Sequence, residues 1–127
     1  MGKYILINDL EVYKLARRLS KIGWEVYNKF DWETKKIIGF QFIESVDSVG
    51  ANIAEGYNRF HYLDKIKFFY NSRASLSETA DHWIELLKER GKISEDTYKE
   101  FKSIANNLFL KLNNFINSMY RIKNLSS

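Results

Sequence analysis

The chain has 127 residues, a formal net charge of +4, 45% hydrophobic residues, no proline and no cysteine. One domain of this size buries roughly two-thirds of the surface that its unfolded form exposes, so it folds without staples. The absence of cysteine excludes disulfides, zinc–thiolate sites and a thiol nucleophile, and a pI near 9.2 is too mildly basic to name a partner.

Aromatic residues reach 16%, more than one small core normally holds, which points to rings packed against a partner. No apolar run approaches the length of about 20 residues that spans a bilayer, so no membrane association is expected. The opening residues 1–8 carry the apolar triplet Ile5-Leu6-Ile7 without the features of a signal peptide. The expected compartment is the reducing cytoplasm.

The first predicted helix runs over about 9–30, with apolar or small residues at Val12, Ala16, Leu19, Gly23, Val26 and Phe30. Asp31 is placed to cap a second helix over 32–56, whose seam is Ile38, Phe42, Ser45, Val49, Asn52 and Gly56. The run Gly56-Tyr57-Asn58-Arg59-Phe60-His61 interrupts the period. A third helix over 62–90 follows, with Ile66, Phe69, Arg73, Leu76, Ala80, Trp83 and Leu87, and Gly91 stands where a terminating glycine belongs. Ser94 opens the fourth helix, 94–123, with the cleanest seam: Tyr98, Phe101, Ala105, Leu108, Leu112, Phe115, Met119 and Ile122. Every step is three or four residues, and short connections force neighbours antiparallel. The expectation is an all-α, single-domain (1–127), up-down-up-down four-helix bundle.

Two seam positions are wrong for a plain core. Arg73 lies between Phe69 and Leu76, and Asn52 between Val49 and Gly56. A buried arginine has to be paired, so Asn52, Glu55, Arg73 and Glu78 are expected to form one structural polar layer that fixes helix register. A di-metal carboxylate centre, the enzyme chemistry natural to such a bundle, requires two Glu-x-x-His pairs and two further glutamates. The chain has only His61 and His82, and Glu78 to His82 is spaced four. Nothing reads as a nucleophile elbow or a phosphate-binding glycine loop. No metal, cofactor, catalytic residue or small-molecule substrate is expected.

The stretch Asp47-Ser48-Val49-Gly50-Ala51-Asn52-Ile53-Ala54-Glu55-Gly56, followed by Arg73-Ala74-Ser75-Leu76-Ser77-Glu78, resembles the four-helix bundle proteins encoded in 23S rRNA intervening sequences. The opening Asp9-Leu10-Glu11-Val12-Tyr13-Lys14 is similar to that family's start. Ala74, Asn58 and Glu44 depart from its usual glycine, glycine and arginine. The resemblance implies a ring assembly, a homopentamer, with no known enzymatic activity. It also implies kinship in shape with the accessory proteins of diversity-generating retroelements, which form basic pentameric barrels and assist a reverse transcriptase.

Two surfaces are legible beside the resemblance. Tyr13, Trp24 and Tyr27 form a stripe on the first helix apart from its core face, and Phe68 and Tyr70 flank Phe69 on the third. These five are the expected oligomer interface. In an up-down-up-down bundle one end collects Arg17, Arg18, Arg59, Lys65, Lys67, Arg121 and Lys123, with Lys14 and Lys21 beside them, and no acidic residue follows Glu100. Cations beside Tyr57, Phe60, His61 and Tyr62 suit phosphates and stacked bases. The expected function is a non-enzymatic homo-oligomer that binds RNA or DNA without strong sequence specificity, or scaffolds a ribonucleoprotein. The alternative is a module that docks a protein partner through its aromatic faces.

Overall fold

The computed structural model describes residues 5–126; residues 1–4 of the opening run lie outside the described part. A short 3-10 turn, Ile7–Asp9, leads into α1, Glu11–Asn28. Helix α2 spans 32–57 and comprises Trp32–Thr34, a wide π turn at Lys35–Gly39, and Phe40–Tyr57. Helix α3 spans 62–89 in the same manner: Tyr62–Ser77, a π turn at Glu78–Trp83, then Ile84–Glu89. Helix α4, Glu95–Ser126, closes the bundle, which has no strand among the described residues. α1 packs on α2 and α4, and α3 packs on the same two helices, so the four run alternately up and down around one core. Among the described residues no helix is long and apolar enough to cross a membrane.

The helix boundaries follow from local chemistry. Asp31 accepts a hydrogen bond from the Thr34 backbone N–H at 2.7 Å, and that bond holds its carboxyl below the ordinary range. At the end of α3, Gly91 takes φ +67°, a conformation that a side chain would strain. Its N–H reaches the Lys88 carbonyl at 3.0 Å and the Lys92 N–H reaches that of Leu87 at 2.8 Å, the two bonds of a Schellman ending. Ser94 then accepts from the Thr97 N–H at 3.2 Å and starts α4.

The core contains most of the expected seam residues, though not Asn52, Arg73 or the exposed Ile122, and a second row beside each seam: Leu15 and Ile22 on α1, Val46 and Ile53 on α2, Ile84 on α3, Ile104 and Ile116 on α4. A globular helix buries a broader stripe than a coiled-coil seam, which is why a three-or-four-residue step caught only one row. Phe42 meets Phe101 at 5.8 Å and Phe69 meets Phe115 at 4.9 Å between ring centroids, tying α4 to α2 and α3.

The expected polar layer does not form. The inward position after Phe69 is Ser72, fully buried, whose Oγ donates to the Val49 carbonyl at 2.7 Å. Arg73 is turned to the edge, where Nη1 donates to Asn113 Oδ1 at 2.9 Å and the guanidinium lies 4.6 Å from the Tyr70 ring centre. Ile53, and not Asn52, completes the α2 seam; Asn52 is half-buried and donates to the Ser48 carbonyl at 2.9 Å. Glu55 is exposed and pairs with Arg59, and Glu78 accepts from Trp83 Nε1 at 2.7 Å. One residue of helical phase separates the two arrangements, about 100°, and desolvation favours the one that buries a hydroxyl and not a guanidinium.

The end of α2 is pinned to the start of α3. A Cβ at Gly56 would lie 2.8 Å from Phe69 Cε1, 2.9 Å from Phe68 Cβ and 3.1 Å from the Lys65 carbonyl oxygen. Gly56→Ala is therefore expected to lose about 1–2 kcal/mol, overpacking outweighing alanine's better helix propensity. Urea unfolding should show a lower midpoint at unchanged slope. A midpoint at or above that of the parent would contradict this close approach.

At the other end, Tyr98 on α4 donates to Glu85 Oε1 on α3 at 2.6 Å, and Lys102 Nζ stands 3.2 Å from the same oxygen. The tyrosine proton held by this carboxylate pushes the Tyr98 pKa up to about 12, and the same bond pulls Glu85 below the ordinary range. A raised phenol pKa in the folded state means that the bond stabilises fully below the unfolded value near 10 and is lost as pH rises through about 12. For Glu85 the contribution is present above its unfolded value and is lost as pH falls through the depressed one. Tyr120, hydrogen-bonded to Tyr70, also ionises late. Tyrosinate absorbance should thus show a late component, of which Tyr98→Phe removes the part near pH 12. An unchanged late component in that variant would overturn the assignment.

Candidate nucleic-acid interface

The antiparallel order brings the start of α1, the end of α2, the start of α3 and the end of α4 to one pole. The expected cations stand there in two different states. Arg59 is committed: its Nη2 meets Glu55 Oε1 at 2.5 Å and its guanidinium covers the Phe68 ring at 4.7 Å. Lys65 is half-buried and donates to the Tyr57 carbonyl at 2.8 Å; burial pulls its pKa down. It is a tie between α2 and α3, and a phosphate would have to compete with that bond. Arg121 is exposed and makes a 3.3 Å bond to Ser118 Oγ within its own helix. Arg18, Lys21 and Lys67 are exposed and hold no ion pair or side-chain hydrogen bond among the described residues. Lys123 is half-buried near the end of α4. Phe60, in the loop between α2 and α3, is 88% exposed and meets His61 edge-on at 5.1 Å.

Between α1 and α2 runs an open groove of about 710 Å³. Its floor is Gly50, Ala51 and Ala54, which project nothing beyond a methyl group. Tyr13, Arg17, Arg18, Lys21 and Trp24 line it from α1, against a single carboxylate, Asp47. Arg17 Nη1 donates to the Tyr13 hydroxyl at 3.1 Å, and its guanidinium lies 5.8 Å from that ring's centre. The spacing of 13, 17, 24 against 50, 51, 54 was readable as two helical faces; that they face one another was not.

The five expected interface aromatics do not share one face. Tyr13 and Trp24 border the groove. Phe68 is half-buried under Arg59, and Tyr70 lies 6.4 Å from Tyr120 beneath Arg73. Tyr27 belongs to a cluster the sequence reading missed, at the turn from α1 to α2. It stacks on Trp24 at 5.4 Å and 18°, and approaches Phe40 at 6.2 Å; Trp32 meets Phe40 edge-on at 5.9 Å. Trp32 is 69% exposed, with Ile37 and Phe40 exposed beside it. The π turn at Lys35–Gly39 interrupts the regular helical phase here, and a strict 3.6-residue period does not anticipate it. The only available signal was the pair Ile37-Ile38, of which one had to face out. No three His, Cys, Asp or Glu side chains come together among the described residues.

A family model described as 23S rRNA-intervening sequence protein matches residues 8–114. No curated protein matches the chain. Among solved structures the chain is similar to a protein of unknown function from the S23 ribosomal protein family of Bacteroides thetaiotaomicron VPI-5482. The two share 22% sequence identity at a TM-score of 0.77, over 84% of this chain and 96% of that one. At that identity the likeness is one of fold.

Proposed function

The chain belongs to the 23S rRNA-intervening sequence protein family, and from that premise we propose that it is a non-enzymatic, homo-oligomeric scaffold that binds RNA or DNA through its basic pole. The observation that carries this reading is the state of the cations there. Arg18, Lys21 and Lys67 are exposed without protein partners among the described residues, and Arg121 has only a weak intrahelical one. Such side chains exchange loosely held counterions for phosphates at little cost. Among the described residues no helix presents a row of base-reading side chains at a protruding face, so the contacts are to backbone and sequence specificity is low. The one candidate for interior chemistry, Arg73, is spent on Asn113 and Tyr70 at the bundle's edge, which supports a non-catalytic role.

Self-association is the second half of the reading. The Trp32, Ile37 and Phe40 patch is a large apolar area to leave in water, and a closed ring, with five copies as the favoured number, would cover it while repeating the basic pole around an axis. Light scattering should give a closed oligomer at tens of micromolar. Trp32→Glu combined with Phe40→Glu should dissociate it with helicity retained. A monodisperse parent monomer at that concentration would overturn the assembly.

Binding of labelled RNA or DNA should fall steeply with salt. Reversing Lys67, Arg121 and Lys123 to glutamate should flatten the log–log salt slope by about 2–3, since each lost phosphate contact removes about 0.7–0.9. Reversing Lys29, Arg90 and Lys92, at the opposite end, should leave most of the slope. Equal losses from both triples would mean diffuse attraction and no built surface. Absence of binding at about 50 mM salt, where such complexes are strongest, would hand the function to a protein partner docked on the aromatic patch.

A further inference from the structure

We propose that the groove between α1 and α2 seats single-stranded nucleic acid, with phosphates on Arg17, Arg18 and Lys21 and an unpaired base on the outer face of Trp24. This rests on the nucleic-acid reading of the pole and names a site that runs from it along the flank of the bundle. The groove's volume, about 710 Å³, is in the range of clefts that hold organic ligands. Its charge is lopsided, three cations against Asp47. Two of those cations have no protein partner among the described residues, and the third is oriented by Tyr13 with further guanidinium donors to spare.

Trp24 supplies the second element. One face of its indole is stacked on Tyr27, which fixes the ring plane, and the side chain is still 53% exposed where it borders the groove. A rigid π surface beside a row of cations is the combination that holds unpaired bases without reading their sequence. In a duplex the base faces are already stacked, so a duplex could use the cations but not the indole. The floor completes the fit: with only Gly50, Ala51 and Ala54 beneath it, a sugar–phosphate chain can lie close to the α2 backbone. From Tyr13 to Trp24 the α1 edge rises about 16 Å at 1.5 Å per residue, room for a few nucleotides.

The test compares a short labelled oligouridylate with a self-complementary RNA duplex of the same length. Ala51 is exposed, so Ala51→Leu fills the groove without entering the core. It should weaken the single strand at least about tenfold and the duplex much less, since the loss is one of stacking and fit. Trp24→Ala should do the same and Trp24→Phe should restore most of the affinity. Oligomer size and helicity, followed in parallel, should not change. If both Ala51→Leu and Trp24→Ala bind the single strand like the parent while the Lys67, Arg121 and Lys123 reversal still weakens it, the groove assignment falls and the pole reading stands. If the parent binds neither probe, both fall. Loss of the oligomer in Ala51→Leu with binding intact would make the groove a contact between copies and overturn the proposal.

Discussion

At Gly56 the backbones of α2 and α3 come so near that a single methyl group would press on Phe69, Phe68 and the carbonyl of Lys65 together. Much of the pole is arranged by that approach. It leaves Lys65 within 2.8 Å of the Tyr57 carbonyl, so the lysine closes the end of α2 from the neighbouring helix. Further along the same interface it sets Ser72 against the Val49 carbonyl, the buried polar link between the two helices. It also fixes where the following loop can go, with Arg59 folded back over Phe68 onto Glu55 and Phe60 left in water. The Asn-Ile-Ala-Glu-Gly run that most marks the sequence is thus structural at four of its five members: Ile53 in the core, Gly56 at the close approach, Asn52 and Glu55 bonded within their own helix; Ala54 lines the groove.

The same helix is small-residued on another side for a different reason. Gly50 lies against α1, where an added Cβ would make only ordinary contact with Ala16 at 3.5 Å, and Ala51 and Ala54 continue outward from it. Tight packing does not demand smallness there as it does at Gly56. What the small residues achieve is a groove, and α1 lines it with rings and cations that the core cannot use. Packing and surface chemistry are therefore separable on α2: one small face is needed for the fold, the other is available to a partner.

The architecture was legible because it depends on periodicity and punctuation, and both are strong here. Asp31, Gly91 and Ser94 each do what their residue type does best at a helix end. Phase was less legible. Placing Arg73 on the seam differs by one residue from the structure, where Ser72 turns inward, a rotation that apolar spacing tolerates because the flanking Phe69 and Leu76 fit either way. The desolvation cost of a guanidinium sets the phase here, where the regularity of the seam does not. The π turns were not legible: Lys35–Gly39 and Glu78–Trp83 interrupt an otherwise regular helical count, and weak helix formers such as Gly39, Thr79 and Asp81 do not by themselves specify a π turn. Hence the exposed cluster of Trp32, Ile37 and Phe40 escaped notice, while Trp24 and Tyr27, on an unbroken helix, did not.

Net charge understates how different the two ends are. At the far end Lys88 and Lys99 stand 3.9 and 4.0 Å from Glu95, and Lys102 is 3.2 Å from Glu85 and 4.0 Å from Asp81. Each such exposed pair is worth at most about 1 kcal/mol, but together they cancel the local field. At the pole Glu55 and Glu11 are already occupied by Arg59 and Lys111. Asp9 and Asp64 stand exposed there without an ion pair among the described residues, but the cations of this end outnumber its acids, and Arg18, Lys21, Lys67 and Arg121 are all exposed. A formal +4 spread evenly over the surface would be a weak attractor. Concentrated on one pole, the same charge makes a local field stronger than its total suggests, and the proposed assembly would repeat that field around an axis.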